Sequence, residues 1–79
     1  MRIVDQSGKM SIPSEQYVIF VESEKGEEHI VYAHNVHDKE ELIPLALYDN
    51  IEKRDKLFEV ILNDELAGAK VCNIGKKMI

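Results

Sequence analysis

Five consecutive β-branched or aromatic residues, Tyr17–Val21, constrain the fold of this chain more than any other feature. Such a run favours a β-strand, and because apolar residues fall on both of its faces it predicts a central strand that is covered on at least one face. A polar stretch containing Gly26 follows, and residues 29–34 then form a second β-prone run. Together the two runs predict an antiparallel hairpin. On its second strand one face carries Ile30, Tyr32 and His34, and the other carries His29, Val31 and Ala33.

The first residues of the chain show another hairpin pattern. Residues 2–4 and 10–12 are short β-prone runs, and the polar residues between them include Gly8. Glycine accepts the positive φ that a four- or five-residue hairpin loop needs at one position. Pro13 has no N–H with which to continue a ladder, so the second strand is expected to end there.

Further segments of the chain predict strands and connections of different kinds. Residues 35–42 are polar and charged, which predicts a loop or a single helical turn. Residues 43–48 predict another strand, and Pro44 confines it to a sheet edge or to pairing that begins after the proline. Residues 69–74 predict a last strand, and residues 75–79 a loose end.

The hydrophobic period changes after residue 48, and residues 50–66 predict an amphipathic helix. Asp49 is placed to cap the free amide groups and Glu52 to reach back to it, while Gly68 is placed to end the helix. The apolar half of this helix comprises Ile51, Leu57, Phe58, Ile61, Leu62 and Leu66. The other half carries Glu52, Lys56, Glu59 and Asn63, which form a candidate protein-binding surface.

The sum of these patterns is a small α+β fold in a single domain over residues 1–79. We expect an antiparallel sheet of four to five strands, with the one amphipathic helix (about 50–66) packed on one face. One helix covers one face of a sheet and leaves the other uncovered. If that second face is apolar, a homodimer is the simplest way to cover it.

Composition limits the setting and the partners. Fifteen acidic residues against ten basic ones give a net charge of −5, which disfavours direct binding to nucleic acid. Cys72 is the only cysteine, so the chain forms no internal disulfide, as is typical of a reducing cytoplasm. No segment approaches the length of a membrane span, and residues 1–6 lack the apolar core of a signal peptide. These features predict a cytoplasmic protein that does not bind membranes.

Few residues form patterns that carry chemistry. His34 and His37 have the spacing with which two histidines share a metal on a helical turn, and Asp38 or Glu41 could add a third ligand. Surface histidines in a polar loop explain the same pattern without a metal. Cys72 lies in a β-prone run and reads as a small core residue rather than a nucleophile. The sequence contains no phosphate-binding loop or hydrolase signature, so we expect a non-enzymatic protein without a cofactor.

The opening and the helix start resemble those of a known group of proteins. Met1–Val4, Gln6, Gly8 and Ile12–Pro13 are similar to a Met-Arg-Ile-Ile-Ser-Gln-Asp-Gly opening followed by an Ile-x-Val/Ile-Pro run, and Tyr48–Lys53 is similar to a Tyr-Ser/Thr-x-Glu-Glu-Lys helix start. Both belong to short uncharacterised proteins of bacteriophages, prophages and integrative elements of Gram-positive bacteria. Ile51 stands where that group has an acid and Arg54 where it has alanine. The resemblance implies a mobile-element origin and transfers no functional residue.

These features leave two functions to weigh. The first is a small protein-interaction or self-associating module. The second is an acidic anti-host or anti-defence factor that occupies a basic nucleic-acid-binding groove of a host enzyme, where charge complementarity would speed docking. Binding that weakens steeply with salt would favour the second.

Overall fold

The computed structural model describes residues 1–21 and 29–79. Strands and helices follow one another along the chain in an α+β arrangement, which confirms the predicted class. The strands are β1 (Arg2–Val4), β2 (Ser11–Pro13), β3 (Tyr17–Val21), β4 (His29–Asn35), β5 (Asp38–Tyr48) and β6 (Val71–Asn73). The α-helices are α1 (Ile51–Leu66) and α2 (Ile74–Lys77), and a 3₁₀ turn at Ser14–Gln16 links β2 to β3. The polar turn predicted between β3 and β4 lies outside the described residues.

The strands form two three-stranded sheets rather than one sheet of four or five strands. The first has the order β2-β1-β6, in which β1 pairs antiparallel with β2 and parallel with β6. The second has the order β3-β4-β5 and is antiparallel throughout. The single-sheet prediction fails because β6, after α1, returns to pair with β1 and so gives the opening hairpin a third strand of its own.

Gln6 connects the two sheets. Its backbone N–H donates to the Leu45 carbonyl oxygen at 2.8 Å, and its side-chain oxygen accepts from the Leu47 N–H at 2.9 Å. The side-chain Nε2 of Gln6 donates to the Leu47 carbonyl oxygen at 3.2 Å. Gln6, two residues after the end of β1, therefore bonds to the edge of β5 that faces away from β4, as a paired strand would.

Two predictions within the second sheet are wrong. Residues 35–42 are not a loop or a helical turn, because β4 runs to Asn35 and β5 already begins at Asp38. The tight turn between them is closed by the Asn35 side-chain oxygen, which accepts from the His37 N–H at 2.9 Å. Tyr17–Val21 is also not central. Among the described residues it pairs only with β4, so β3 is an edge strand.

α1 spans the predicted residues, but its first cap is different. The Asn50 side-chain oxygen accepts from the Lys53 N–H at 2.8 Å, so Asn50 caps the helix in place of Asp49. Asp49 instead pairs with the Lys53 ammonium at 3.3 Å. At the other end Gly68 adopts a φ of 74°, and the N–H groups of Gly68 and Ala69 donate to carbonyls of the last turn. This paired closure is the Schellman motif, which needs a left-handed residue at that position.

The apolar half of α1 is only partly buried. Leu57 and Ile61 lie in the core, and Phe58 packs at its margin. Ile51, Leu62 and Leu66 are exposed. The helix is therefore rotated relative to the predicted apolar arc. The buried core joins both sheets to α1, and its members are Ile3, Ile12, Val31, Ala33, Leu45, Ala46, Tyr48, Leu57, Ile61, Cys72 and Ile74.

The last residues are more ordered than the predicted loose end. Ile74–Lys77 form the short helix α2, and the Asn73 side-chain oxygen caps it by accepting from the Lys76 N–H at 3.2 Å. Lys77 reaches back to the Asp64 carboxylate of α1 at 3.4 Å. Ile74 is fully buried, which holds this segment against the core. Among the described residues, no helix is long and apolar enough to cross a membrane.

Cys72 is fully buried in the core, as expected for a small apolar residue. Burial and, to a smaller degree, the neighbouring Asp64 carboxylate raise the pKa of the Cys72 thiol to about 11. An unfolded cysteine has a pKa of about 8.5. At pH 8 we therefore expect the native thiol to react with Ellman's reagent at least about 100-fold more slowly than the thiol in denaturant. Equal rates in both states would contradict this placement of Cys72.

Candidate protein-binding surface

The antiparallel sheet has one face that α1 does not cover. Val31 and Ala33 of β4 point inward and are fully buried, so the alternate residues of the sheet point outward. The strand register places these outward residues in three cross-strand rows. They are Val18, Phe20, Ile30, Tyr32, His34, Leu42, Pro44 and Leu47, and we call this set the outer face.

The eight residues of the outer face carry no charged group other than His34, and the exposed Glu40 precedes Leu42 on the same side of β5 at its margin. Val18 is 45% exposed, Leu42 43% and Leu47 49%. A single exposed aliphatic residue is ordinary on a protein surface. A contiguous apolar patch is different, because such patches mark sites at which a partner excludes water.

Aromatic rings hold the middle of the outer face. The Phe20 and Tyr32 rings stack with centroids 5.9 Å apart and an angle of 25° between planes. The His34 ring lies 5.5 Å from Phe20 at 55°, and its Nδ1 is 3.0 Å from the Asn35 carbonyl oxygen. These contacts within the chain restrict the orientations of the three rings. Rigid aromatic side chains lose little conformational entropy on binding and are enriched in protein interfaces.

The surface predicted on the helix lies elsewhere. Glu52, Lys56, Glu59 and Asn63 are all exposed on α1. Since α1 packs on the inner side of the sheet, these residues are on the opposite side of the molecule from the outer face. Lys53 and Arg54 add further positive charge to the same helix, and Arg54 pairs with Asp55 at 3.1 Å. This side of α1 is thus a hydrated surface of mixed charge.

The histidine pattern does not form a ligand set in the described structure. His34 lies within β4 with its ring against Phe20, whereas His37 lies in the following turn, so the two are not on a helix. Within residues 1–21 and 29–79, no three His, Cys, Asp or Glu side chains lie close enough together to hold a metal ion. The buried Tyr48 hydroxyl, whose pKa burial raises, belongs to the core and not to the outer face.

The sequence signal for the outer face was incomplete. The grouping of Ile30, Tyr32 and His34 on one strand face is confirmed by the structure. The sequence predicts a loop at Leu42 and a central strand at Val18 and Phe20, whereas Leu42 lies in β5 and β3 is an edge strand. Two neighbouring strands with apolar residues at every second position on the same side are the signal that identifies such a face.

Comparison with known proteins gives no further guide. No protein-family model, no curated protein and no solved structure matches this chain. The mobile-element origin implied by the opening and helix-start residues therefore stays a prediction.

Proposed function

We propose that this protein is a non-enzymatic protein-binding module that self-associates by packing the outer face on the same face of a second copy. The observation that carries the proposal is the uncharged aromatic centre of that face, formed by Phe20 and Tyr32. A two-fold axis packs this apolar face on its own equivalent, and Phe20 and Tyr32 bring no charge that would have to be buried at its centre. Sheets packed in this way lie about 10 Å apart with interdigitated side chains.

The small area of the outer face favours weak dimerisation. Strands lie about 4.8 Å apart and rise about 3.3 Å per residue, which gives three strands a footprint of about 14 by 20 Å. That footprint of about 280 Å² per copy is well below the roughly 800 Å² per partner of a standard specific interface, which is the range of weak, transient contacts. We therefore expect a dimer that dissociates on dilution.

Charge gives this dimer a characteristic salt response. Each copy carries a net charge of −5, so two copies repel one another at long range. Added salt screens this repulsion and leaves the apolar contact in place. Association is therefore expected to strengthen as salt is raised from low to physiological concentration.

The alternative, an acidic factor that occupies a basic groove of a host enzyme, predicts the opposite salt response. Its support is the net charge of −5 and the exposed Glu52 and Glu59. Lys53 and Lys56 lie on the same exposed turns of α1 and reduce that field. The acidic stretch at residues 22–28 lies outside the described residues. We infer a cytoplasmic setting in a host bacterial cell for either function, which the free thiol of Cys72 supports.

The proposal is tested by placing lysines on the outer face. Val18→Lys combined with Leu47→Lys adds two charges at exposed positions on either side of Tyr32. We expect this variant to dissociate at least about tenfold more readily than the wild type in sedimentation analysis, because each lysine would be desolvated without a partner. Leu66→Lys is the matched control, since it adds a charge at an exposed leucine of α1. Equal weakening by the control, or none by the double variant, would rule out the outer face as the interface.

A further inference from the structure

The two edges of the antiparallel sheet differ in their hydrogen bonding among the described residues. Gln6 occupies the free edge of β5 through its bonds to Leu45 and Leu47. β3 has no strand on its other edge among the described residues. Tyr17–Val21 also contains no charge or proline, the features that commonly protect an edge strand from further pairing. The β3 edge is therefore a template for an additional strand.

The hydrogen bonds show which backbone groups this edge presents. Val36 N–H donates to the Gln16 carbonyl oxygen at 2.9 Å, so residue 16 faces β4. Because antiparallel pairs alternate, Val18 and Phe20 also direct their N–H and C=O groups toward β4, and Ile19 and Val21 direct theirs away. The Tyr17 N–H fits this alternation, since it turns away from β4 and donates to the Ser14 carbonyl oxygen.

A groove runs beside the backbone groups of Ile19 and Val21, between β3 and α1. Its volume is about 390 Å³. Tyr17 and Ile19 of β3 line one side, and Phe58, Leu62 and Glu65 of α1 line the other. Side chains of an added strand would enter the groove at every second residue, because they follow the inward face of β3.

We propose that the β3 edge and this groove bind an extended peptide segment of a partner protein as an added strand. Main-chain hydrogen bonds to Ile19 and Val21 supply the register, and apolar side chains at alternate positions fill the groove. The Glu65 carboxylate at the groove wall selects a peptide with a basic residue at its flank. A second copy of this chain fits less well, since its own Tyr17–Val21 strand offers no base to Glu65.

The test uses a synthetic peptide that alternates valine with threonine and ends in lysine, added at millimolar concentration to the full ¹⁵N-labelled chain. We expect solvent exchange of the Ile19 and Val21 amides to slow at least about tenfold, while the Val18 and Phe20 amides are protected with or without peptide. The control peptide carries a central proline, which removes one N–H and blocks strand addition. Equal protection by both peptides, or none by either, overturns the proposal.

Groove variants separate this site from the outer face. Leu62→Lys should weaken peptide binding at least about tenfold, and Leu66→Lys, outside the groove on the same helix, should leave it unchanged. Glu65→Gln should weaken binding of the lysine-ended peptide by about two- to fivefold, and Glu59→Gln should leave it unchanged. The outer-face lysines at positions 18 and 47 should not affect peptide binding, so this proposal and the self-association proposal fail independently. Protection of Ile19 without peptide that disappears on dilution would assign the edge to a second copy and contradict a peptide partner.

Discussion

Replacing Leu57 with alanine is expected to lower the free energy of unfolding by about 2–5 kcal/mol. Leu57 is 0% exposed and lies where α1 meets the core shared by both sheets. Removing its side chain loses apolar burial and leaves a cavity in a close-packed core, which relaxes only in part. For a domain of this size each kcal/mol corresponds to about 4–8 °C in melting temperature, so thermal denaturation followed by circular dichroism measures the effect directly.

Leu66 provides the matched control for Leu57. Both leucines belong to the apolar arc predicted from the sequence, but Leu66 is 77% exposed in the structure. Leu66→Ala is therefore expected to change the free energy of unfolding by no more than about 0.5 kcal/mol. Similar losses for the two variants would mean that α1 is rotated differently on the sheets.

Replacing Gly75 with alanine is expected to destabilise the protein by about 1–3 kcal/mol. A Cβ at position 75 would lie 2.8 Å from the Gln6 carbonyl oxygen, which is backbone and cannot turn aside. Relieving that contact moves α2 or Gln6, and Gln6 joins the two sheets through Leu45 and Leu47. The result has a distinctive sign, because glycine to alanine within a helix ordinarily stabilises by about 1 kcal/mol.

Urea denaturation of Gly75→Ala beside Lys76→Ala separates the contact from helix propensity. Lys76 is exposed in the same helix, and alanine there keeps the N–H that donates to Asn73. We expect Lys76→Ala to be close to neutral. A stabilised Gly75→Ala variant would show that α2 does not approach Gln6 this closely.

Local chemistry made much of the fold predictable. Gly8, with a φ of 77°, turns the first hairpin, and the second hairpin and the limits of α1 follow from their hydrophobic periods. The pairing of strands distant in sequence was not predictable in the same way. Nothing in residues 71–73 indicates that they pair parallel with β1, because the direction of β6 depends on where α1 ends relative to the first hairpin.

The rotation of α1 shows a second limit. Leu57 and Leu62 are equivalent in a count of apolar residues, yet only Leu57 is buried. Helical periodicity defines an arc of about half the circumference, and packing selects a narrower stripe within it. The buried side of α1 also includes the partly buried Asp64, which forms an ion pair with Lys77 of α2. That ion pair depends on the end of the chain folding back, which the polar composition of residues 75–79 did not suggest.

The outer face was predictable only where it depends on the alternation of residues within one strand. Alternation within β4 correctly separated Ile30, Tyr32 and His34 from the core residues. The helical period also places Glu52, Lys56, Glu59 and Asn63 on the polar half of α1, and their role as a binding surface stays a prediction. The outer face required knowledge of the register, since Leu42 joins it only because β5 begins at Asp38.

Self-association through the outer face is measured most directly as the solution mass of the wild-type protein. Light scattering should be recorded across a dilution series from millimolar to micromolar, at low and at physiological salt. We expect a mass that falls from twice the 9.1 kDa of one chain toward the monomer on dilution, with the midpoint moving to lower protein concentration as salt is raised. A monomer at every concentration and both salts would contradict self-association through the outer face.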